Sequence, residues 1–401
     1  LINNQYKQLI EKDLLSYIFN DSSIYLIAQR CQKRPSNSII KLNEIIYKNI
    51  EKCLLVFEKV IPTTIFYHQY PHDLDHYIIY LIGIYKNCKQ MIIMPSLPYA
   101  ASMFDISEKG KFKFSDVNKL NININKILYE KYLNNYLKSL RNTRSINLEK
   151  KDLLKYNSAK NSFLNLFSLD IKNCFENPSF KNIYRLFKKA LLIYEFVRFK
   201  SNLNILGKKY VIYFLHYQPE DTSIPRGRFF ANQILALKFL RSHLPREIMI
   251  LVKEHPMQLT LPLTLMINCR YKGFYKSISE IPNTFLVPID TSPSKLIENS
   301  LATASLSGSI SFESIAKGIP SICLGESFFG EFNGIINENF SDLIQEIEKN
   351  RNLLKDKDAL FKNLLKHSQI SYVSQKQKND CFFTLGRESS LSLIKRILNN
   401  Y

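Results

Sequence analysis

The chain has 401 residues, of which 45% are hydrophobic, with 55 Lys and Arg against 35 Asp and Glu for a formal net charge of +20. That length suits two ordinary domains, and the hydrophobic content supports packed cores rather than a disordered chain. The longest apolar runs, such as Tyr77 to Tyr85, reach about half of a membrane span, so no transmembrane helix is expected.

The opening from Leu1 has no charged-then-apolar signal pattern, and a cytoplasmic location is expected. The 7 cysteines are dispersed without a Cys-x-x-Cys pair. That pattern speaks against a disulfide framework or a zinc site and fits buried thiols in a reducing compartment. The positive charge is concentrated. Between Ile106 and Ile205 there are 20 Lys and Arg against 8 Asp and Glu. A basic surface attracts polyanions, although an AT-biased genome also enriches lysine. No nucleic-acid motif accompanies the charge, so nucleic acid is not an expected partner. Peripheral contact with the anionic inner leaflet of a membrane, or with an acidic glycan, is.

In chain order, the β-branched run Ile61 to Tyr67 reads as a buried strand. The loop His68 to His72 follows, then helical spacing over Asp75 to Tyr85, then a short strand over Gln90 to Met94. Strand, loop, helix, strand is the unit of a parallel sheet. Residues 106–205 place aromatic and aliphatic side chains at three- and four-residue steps among lysines, with a helix over Asn182 to Phe199. From Lys208 the alternation becomes regular. Strands are predicted at Tyr210–Leu215, Ile248–Val252, Thr284–Val287, Leu301–Leu306 and Ile319–Leu324. Helices are predicted at Arg228–His243, Pro293–Ser300 with Ser292 as N-cap, and Ser311–Lys317 stopped by Gly318. This is the pattern of a doubly wound parallel sheet. Residues 340–401 read as helices with a polar stretch near Ser374 to Asp380.

Ligands of such sheets bind at the carboxyl ends of the strands. The first of those ends carries His216, Tyr217, Gln218, Pro219 and Glu220, a polar loop that reads as a ligand site, with an ordinary capped turn as the alternative. The second carries Lys253, Glu254, His255 and Pro256, where a cation and an imidazole that can bond phosphate oxygens leave a strand together. The third is Ser307, Gly308 and Ser309, small residues that let a phosphate approach backbone amides at a helix start. Glu313 follows one turn later, as an acceptor from ribose hydroxyls or as a helix-capping acid.

Together with Asn232-Gln233 and Gly318-Ile319-Pro320, these segments resemble the capsular-polysaccharide biosynthesis glycosyltransferases. The wider resemblance is to GT-B enzymes of the Kdo-transferase and bacterial sialyltransferase type. Pro71-His72 followed by Asp75 and Tyr77 is a fainter match. The resemblance implies an α/β, GT-B-like fold of two Rossmann-like domains facing a cleft, with a helical insertion and C-terminal helices. It assigns residues 1–205 to an acceptor-side domain, including the basic segment from about 106 to 205. Residues 206–345 become the nucleotide-sugar domain, and residues 346–401 helices that pack back on the first domain. It implies a nucleotide-sugar donor, a CMP-sugar such as CMP-Kdo, and a glycan or lipid-linked acceptor in surface-polysaccharide synthesis. His216, Gln218, Glu220, Lys253, His255, Ser307, Gly308, Ser309 and Glu313 would bind the donor. No cofactor is expected beyond the nucleotide-sugar substrate. No metal is expected, because a helix dipole and basic side chains stabilise the leaving phosphate in such enzymes.

A transferase also needs a base for the acceptor hydroxyl. Three of the 7 histidines fall in the His68–His76 loop, with Asp73 and Asp75 among them. Asp73 or His72 is the expected base. Metal binding by His72 and His76, or simple helix capping, are the other readings of this loop. For the whole chain the alternatives are a nucleotide-sugar 2-epimerase on the same fold and a non-catalytic polysaccharide- or partner-binding protein.

Overall fold

A computed structural model of the chain describes residues 10–30, 38–97, 100–114, 123–124, 179–201, 207–218, 220–260, 270–355 and 383–384. The chain divides into two compact units, Leu1–Tyr136 with Phe361–Tyr401, and Leu137–Leu360.

The first unit starts with helices α1 (Lys12–Phe19), α2 (Ser22–Arg30) and α3 (Ile39–Val60). In α3 the buried residues Leu42, Ile46, Ile50, Cys53, Leu54 and Phe57 recur at three- and four-residue steps, so one stripe faces inward. The helix stops where Ile61 turns left-handed at φ 46°. This shortens the expected strand: β1 covers only Thr64–Tyr67. Helix α4 (Leu74–Tyr85) then leads to β2 (Lys89–Leu97), which pairs with β1 in parallel, as the strand–helix–strand reading requires. Gly83 lets α4 approach this sheet, because a Cβ there would lie 2.9 Å from the Gln90 side chain. Strands β3 (Ala100–Asp105) and β4 (Lys113–Phe114) extend the sheet antiparallel. Strand β5 (Asn123–Ile124) pairs antiparallel with Phe383–Thr384, the last strand, β12. The helices expected after residue 345 are thus interrupted by a strand, and Ser374 to Asp380 lie outside the described residues.

The second unit contains α5 (Phe180–Phe199), started by Ser179, whose hydroxyl accepts from the Asn182 amide. Ile193 and Phe196 of α5 belong to the core of this unit. Helix α5 thus packs with the second unit, which spans Leu137–Leu360.

The remaining elements are β6 (Tyr210–Phe214), α6 (Gln233–Ser242), β7 (Met249–Lys253), α7 (Pro256–Thr260), α8 (Phe274–Ser279) and β8 (Thr284–Leu286). They are followed by α9 (Pro293–Glu298), β9 (Ala302–Ser305), α10 (Ile310–Ala316), β10 (Ser321–Cys323), β11 (Ile335–Ile336) and α11 (Leu343–Leu353). The helix expected over Arg228–His243 is broken. Arg228–Ala231 forms a tight 3-10 turn, and Asn232 restarts the helix by accepting the Ile234 amide at 3.1 Å.

The sheet is wholly parallel, in the order β11-β10-β9-β6-β7-β8. Strands β6 and β7 are buried on both faces, which explains the unbroken apolar runs Tyr210–Phe214 and Met249–Val252. Val211 and Tyr213 point into one core and Tyr210 and Ile212 into the other, the two-residue period of a strand. The chain moves from β6 out to β8, then crosses back to start β9 on the other side of β6. The order therefore reverses between β6 and β9, where such sheets open a crevice.

Candidate donor site at the sheet reversal

Strands β9, β6 and β7 are neighbours, so the three loops singled out in the sequence leave one edge of the sheet side by side. Two of them meet directly. The amides of Leu306 and Ser307 both donate to Nε2 of His216, each at 3.2 Å. An acceptor Nε2 must be unprotonated, so the ring's proton sits on Nδ1. Burial pushes the imidazole down to about 3, with His255, Arg226 and Arg270 adding to the effect. The ring is therefore neutral at ordinary pH. His216 thus bridges the reversal between β6 and β9 and keeps Nδ1–H as a donor that bonds no other described residue.

The same contact explains Gly308. A Cβ there would lie 3.2 Å from Nε2 and 3.3 Å from Cε1 of His216. The small residue makes room for an imidazole as much as for a ligand. The Ser307 hydroxyl donates to the Thr222 carbonyl at 2.9 Å, tying the third loop to the first a second time. Ser309 is exposed at the start of α10, where its side chain makes no capping bond.

Beneath these loops lies a buried ion pair that sequence reading did not assign to the site. Arg270 Nε donates to Glu254 Oε2 at 2.9 Å and a second nitrogen to Oε1 at 3.0 Å, and both side chains are 0% exposed. The remaining donors reach Gln218 Oε1 at 2.8 Å and the His216 carbonyl at 3.0 Å. Glu254 also accepts the Tyr275 hydroxyl at 2.8 Å and the His255 amide at 2.7 Å. Gln233 completes the frame, accepting the His216 amide at 2.7 Å and donating to Gln218 Oε1 at 2.7 Å. Burying an ion pair is tolerable only when its other hydrogen-bonding capacity is met, as it is here. The network locks the loop after β6 to the loop after β7.

This geometry sorts the expected donor residues. Gln218 is buried with both ends of its amide engaged, Nε2 donating to the Ala231 carbonyl at 2.9 Å. Lys253 is buried too, its ammonium donating to the carbonyls of Pro288 and Ile289 after β8. Burial lowers it to about 8 despite Glu254 and Asp290 nearby. Both residues hold loops in place. Glu220 is exposed and accepts the Thr222 hydroxyl at 3.2 Å, while Pro219 lies outside the described residues.

His255 is partly buried, with its ring 5.9 Å from that of Tyr217. Burial pushes it down to about 4, against the opposing pull of Glu254. Glu313 is partly buried, and its carboxylate makes no hydrogen bond or ion pair among the described residues. Burial raises it, with Lys317 opposing. An acid held above its ordinary range without a partner is suited to accept from hydroxyls of a bound molecule.

The expected base sits in the first unit. Asp73 precedes α4 without capping it, and its carboxylate lies 4.0 Å from His72 Nε2 and 3.9 Å from His76 Nδ1. His72 Nδ1 is fixed at 2.9 Å from the Tyr70 carbonyl. Asp73 is 57% exposed, so this cluster is open to solvent. Among the described residues, no group of three or more His, Cys, Asp or Glu side chains is arranged to hold a metal ion.

Residues 206–374 match the family described as capsule polysaccharide biosynthesis protein. No curated protein matches the chain. Among solved structures, the β-Kdo 2,7 transferase KpsC of Thermosulfurimonas dismutans is 16% identical, covering 50% of this chain and 69% of its own, at a TM-score of 0.25. The wall teichoic acid polymerase TagF is 15% identical over 45% of this chain and 44% of its own, at 0.27. The UDP-GlcNAc 2-epimerase of Neisseria meningitidis is 15% identical over 84% of both chains, at 0.26. At these scores none of the three decides the fold or the activity.

Proposed function

We propose that the chain is a glycosyltransferase of capsule or surface-polysaccharide synthesis. It moves a sugar from a nucleotide-activated donor, a CMP-sugar such as CMP-Kdo, to a glycan or lipid-linked acceptor, without a metal ion. The observation that carries this reading is the His216 bridge. It sits where parallel sheets bind nucleotides, inside the stretch that matches the polysaccharide family. His216 Nδ1–H and His255 would donate to the donor's phosphate, and Glu313 would accept from its ribose. Asp73 or His72 would take the acceptor's proton.

A thermal-shift series with CMP, UDP, GDP and their sugar conjugates tests the donor. A ligand at about 100 times its Kd adds about 2.7 kcal/mol to the folded state, a shift that identifies the base. No shift with any nucleotide would remove the donor site. Conversion of UDP-GlcNAc to ManNAc would replace transfer by epimerisation, and turnover abolished by EDTA would refute metal independence. His255→Ala and Glu313→Ala are each expected to weaken donor binding by about tenfold in calorimetry, the size of one lost hydrogen bond to a charged partner. Unchanged affinity in both would refute the assignment.

The base is tested separately. Of Asp73→Ala and His72→Ala, the one that removes the base is expected to slow turnover by about 100-fold with donor affinity unchanged. If both variants turn over normally, the base lies elsewhere.

A further inference from the structure

Helix α5 has two faces. Ile193 and Phe196 are in the core, whereas Phe180, Ile183, Tyr184, Phe187, Leu191 and Tyr194 are exposed, Phe180 by 86%, Phe187 by 60% and Tyr194 by 61%. These positions follow the three- and four-residue steps of a helix, so they form one apolar stripe about 20 Å long. Single exposed apolar residues are ordinary, but a continuous aromatic stripe is not.

The charges of the helix point to the occupant. Its only acid, Glu195, is turned to the core side, where it accepts the amides of Gly273, Tyr275 and Lys276 at the start of α8 at 2.8, 2.7 and 3.0 Å. Every other charged residue of α5 is Lys or Arg, with Lys188 over the Tyr184 ring at 5.0 Å and Arg198 exposed near its end. A second copy of this helix would bring cations against cations. The preceding stretch 137–178, with 8 Lys and Arg against 4 Asp and Glu, is no better matched in charge. No described helix is long and apolar enough to cross a membrane. An aromatic stripe flanked by cations, on a helix anchored along its other face, is the arrangement of a helix lying in a bilayer interface.

We propose that the exposed face of α5 docks the protein on an anionic lipid surface, with Phe187 and Tyr194 inserted among the headgroups and Lys188 and Arg198 at the phosphates. The test uses the full chain in co-sedimentation with vesicles of phosphatidylcholine alone and of phosphatidylcholine with phosphatidylglycerol. Binding is expected only to the anionic vesicles and is expected to weaken as salt is raised. The double variant Phe187→Ser, Tyr194→Ser is expected to bind at least about tenfold more weakly while melting at the wild-type temperature. The variant Lys188→Gln, Arg198→Gln is expected to lose part of the binding and to become less salt-sensitive.

Absent binding, equal binding to both vesicle types, or equal binding by the Ser variant would overturn the proposal. A large drop in the Ser variant's melting temperature would show that the stripe packs within the chain. A dimer in light scattering that the Ser variant abolishes would assign the stripe to self-association. Either result also overturns the proposal.

Discussion

Replacing Glu254 with leucine is expected to cost about 3–5 kcal/mol of folding stability, measured by urea unfolding. The variant strands the Arg270 guanidinium, which is 0% exposed. Arg270→Met is expected to cost a similar amount, because Glu254 is buried as deeply. The double variant removes both charges, so its cost is expected to fall well short of the sum. It will not return to zero, because Gln218 Oε1, the His216 carbonyl and the Tyr275 hydroxyl lose partners too. Single variants that each cost under about 1 kcal/mol, the range of exposed pairs, would mean that the pair is solvated. The loops after β6 and β7 hang from this pair, so donor binding is expected to fall with stability in all three variants.

His216→Leu is the second large effect. The change keeps apolar bulk but removes the acceptor for the Leu306 and Ser307 amides, both on buried residues. An orphaned buried amide costs about 1–3 kcal/mol, so the pair is expected to cost about 2–6 kcal/mol. The imidazole also predicts a pH dependence. Its folded-state value of about 3 lies below the ordinary 6.5, so the unfolded chain binds the extra proton between those values. Stability contributed by the neutral ring is present above pH 6.5 and is lost as pH falls toward 3. His255, lowered to about 4, acts in the same direction. Wild-type stability is therefore expected to decline already between about pH 6.5 and 5, before most carboxylates titrate, and His216→Leu to flatten that decline. Stability that does not change across this interval would exclude a buried neutral His216.

Much of the second unit was legible because parallel strands buried on both faces tend to be continuous apolar runs. Tyr210–Leu215 and Ile248–Val252 announce themselves in this way. The order of the strands was not legible. Nothing in the sequence states that β9 returns beside β6, and the meeting of His216 with Ser307 depends on that return. The break before α6 was hidden because Asn232 fits both a helix interior and a cap. The contacts by which Gln218 and Lys253 brace their loops were hidden for a related reason. A polar residue after a strand has the same sequence signature whether it faces a ligand or braces the loop behind it. Glu254 stood within a recognised motif, yet its partner Arg270 lies 16 residues away with no motif to mark it. Only the fold brings the two charges together.

The junction after α5 has a practical consequence. Strand β8 is an outer strand of the parallel sheet, and its free side is not left bare. Lys200 forms a parallel bridge with Leu286, and the Ser201 amide donates to the Leu286 carbonyl at 2.7 Å. Uncovered outer strands invite other chains to add on, which leads to aggregates. A fragment that begins at residue 206, where the family match begins, would lack both the bridge and the helix before it. Such a fragment is a poor candidate for soluble expression, whereas one that begins before Ser179 keeps the cover in place.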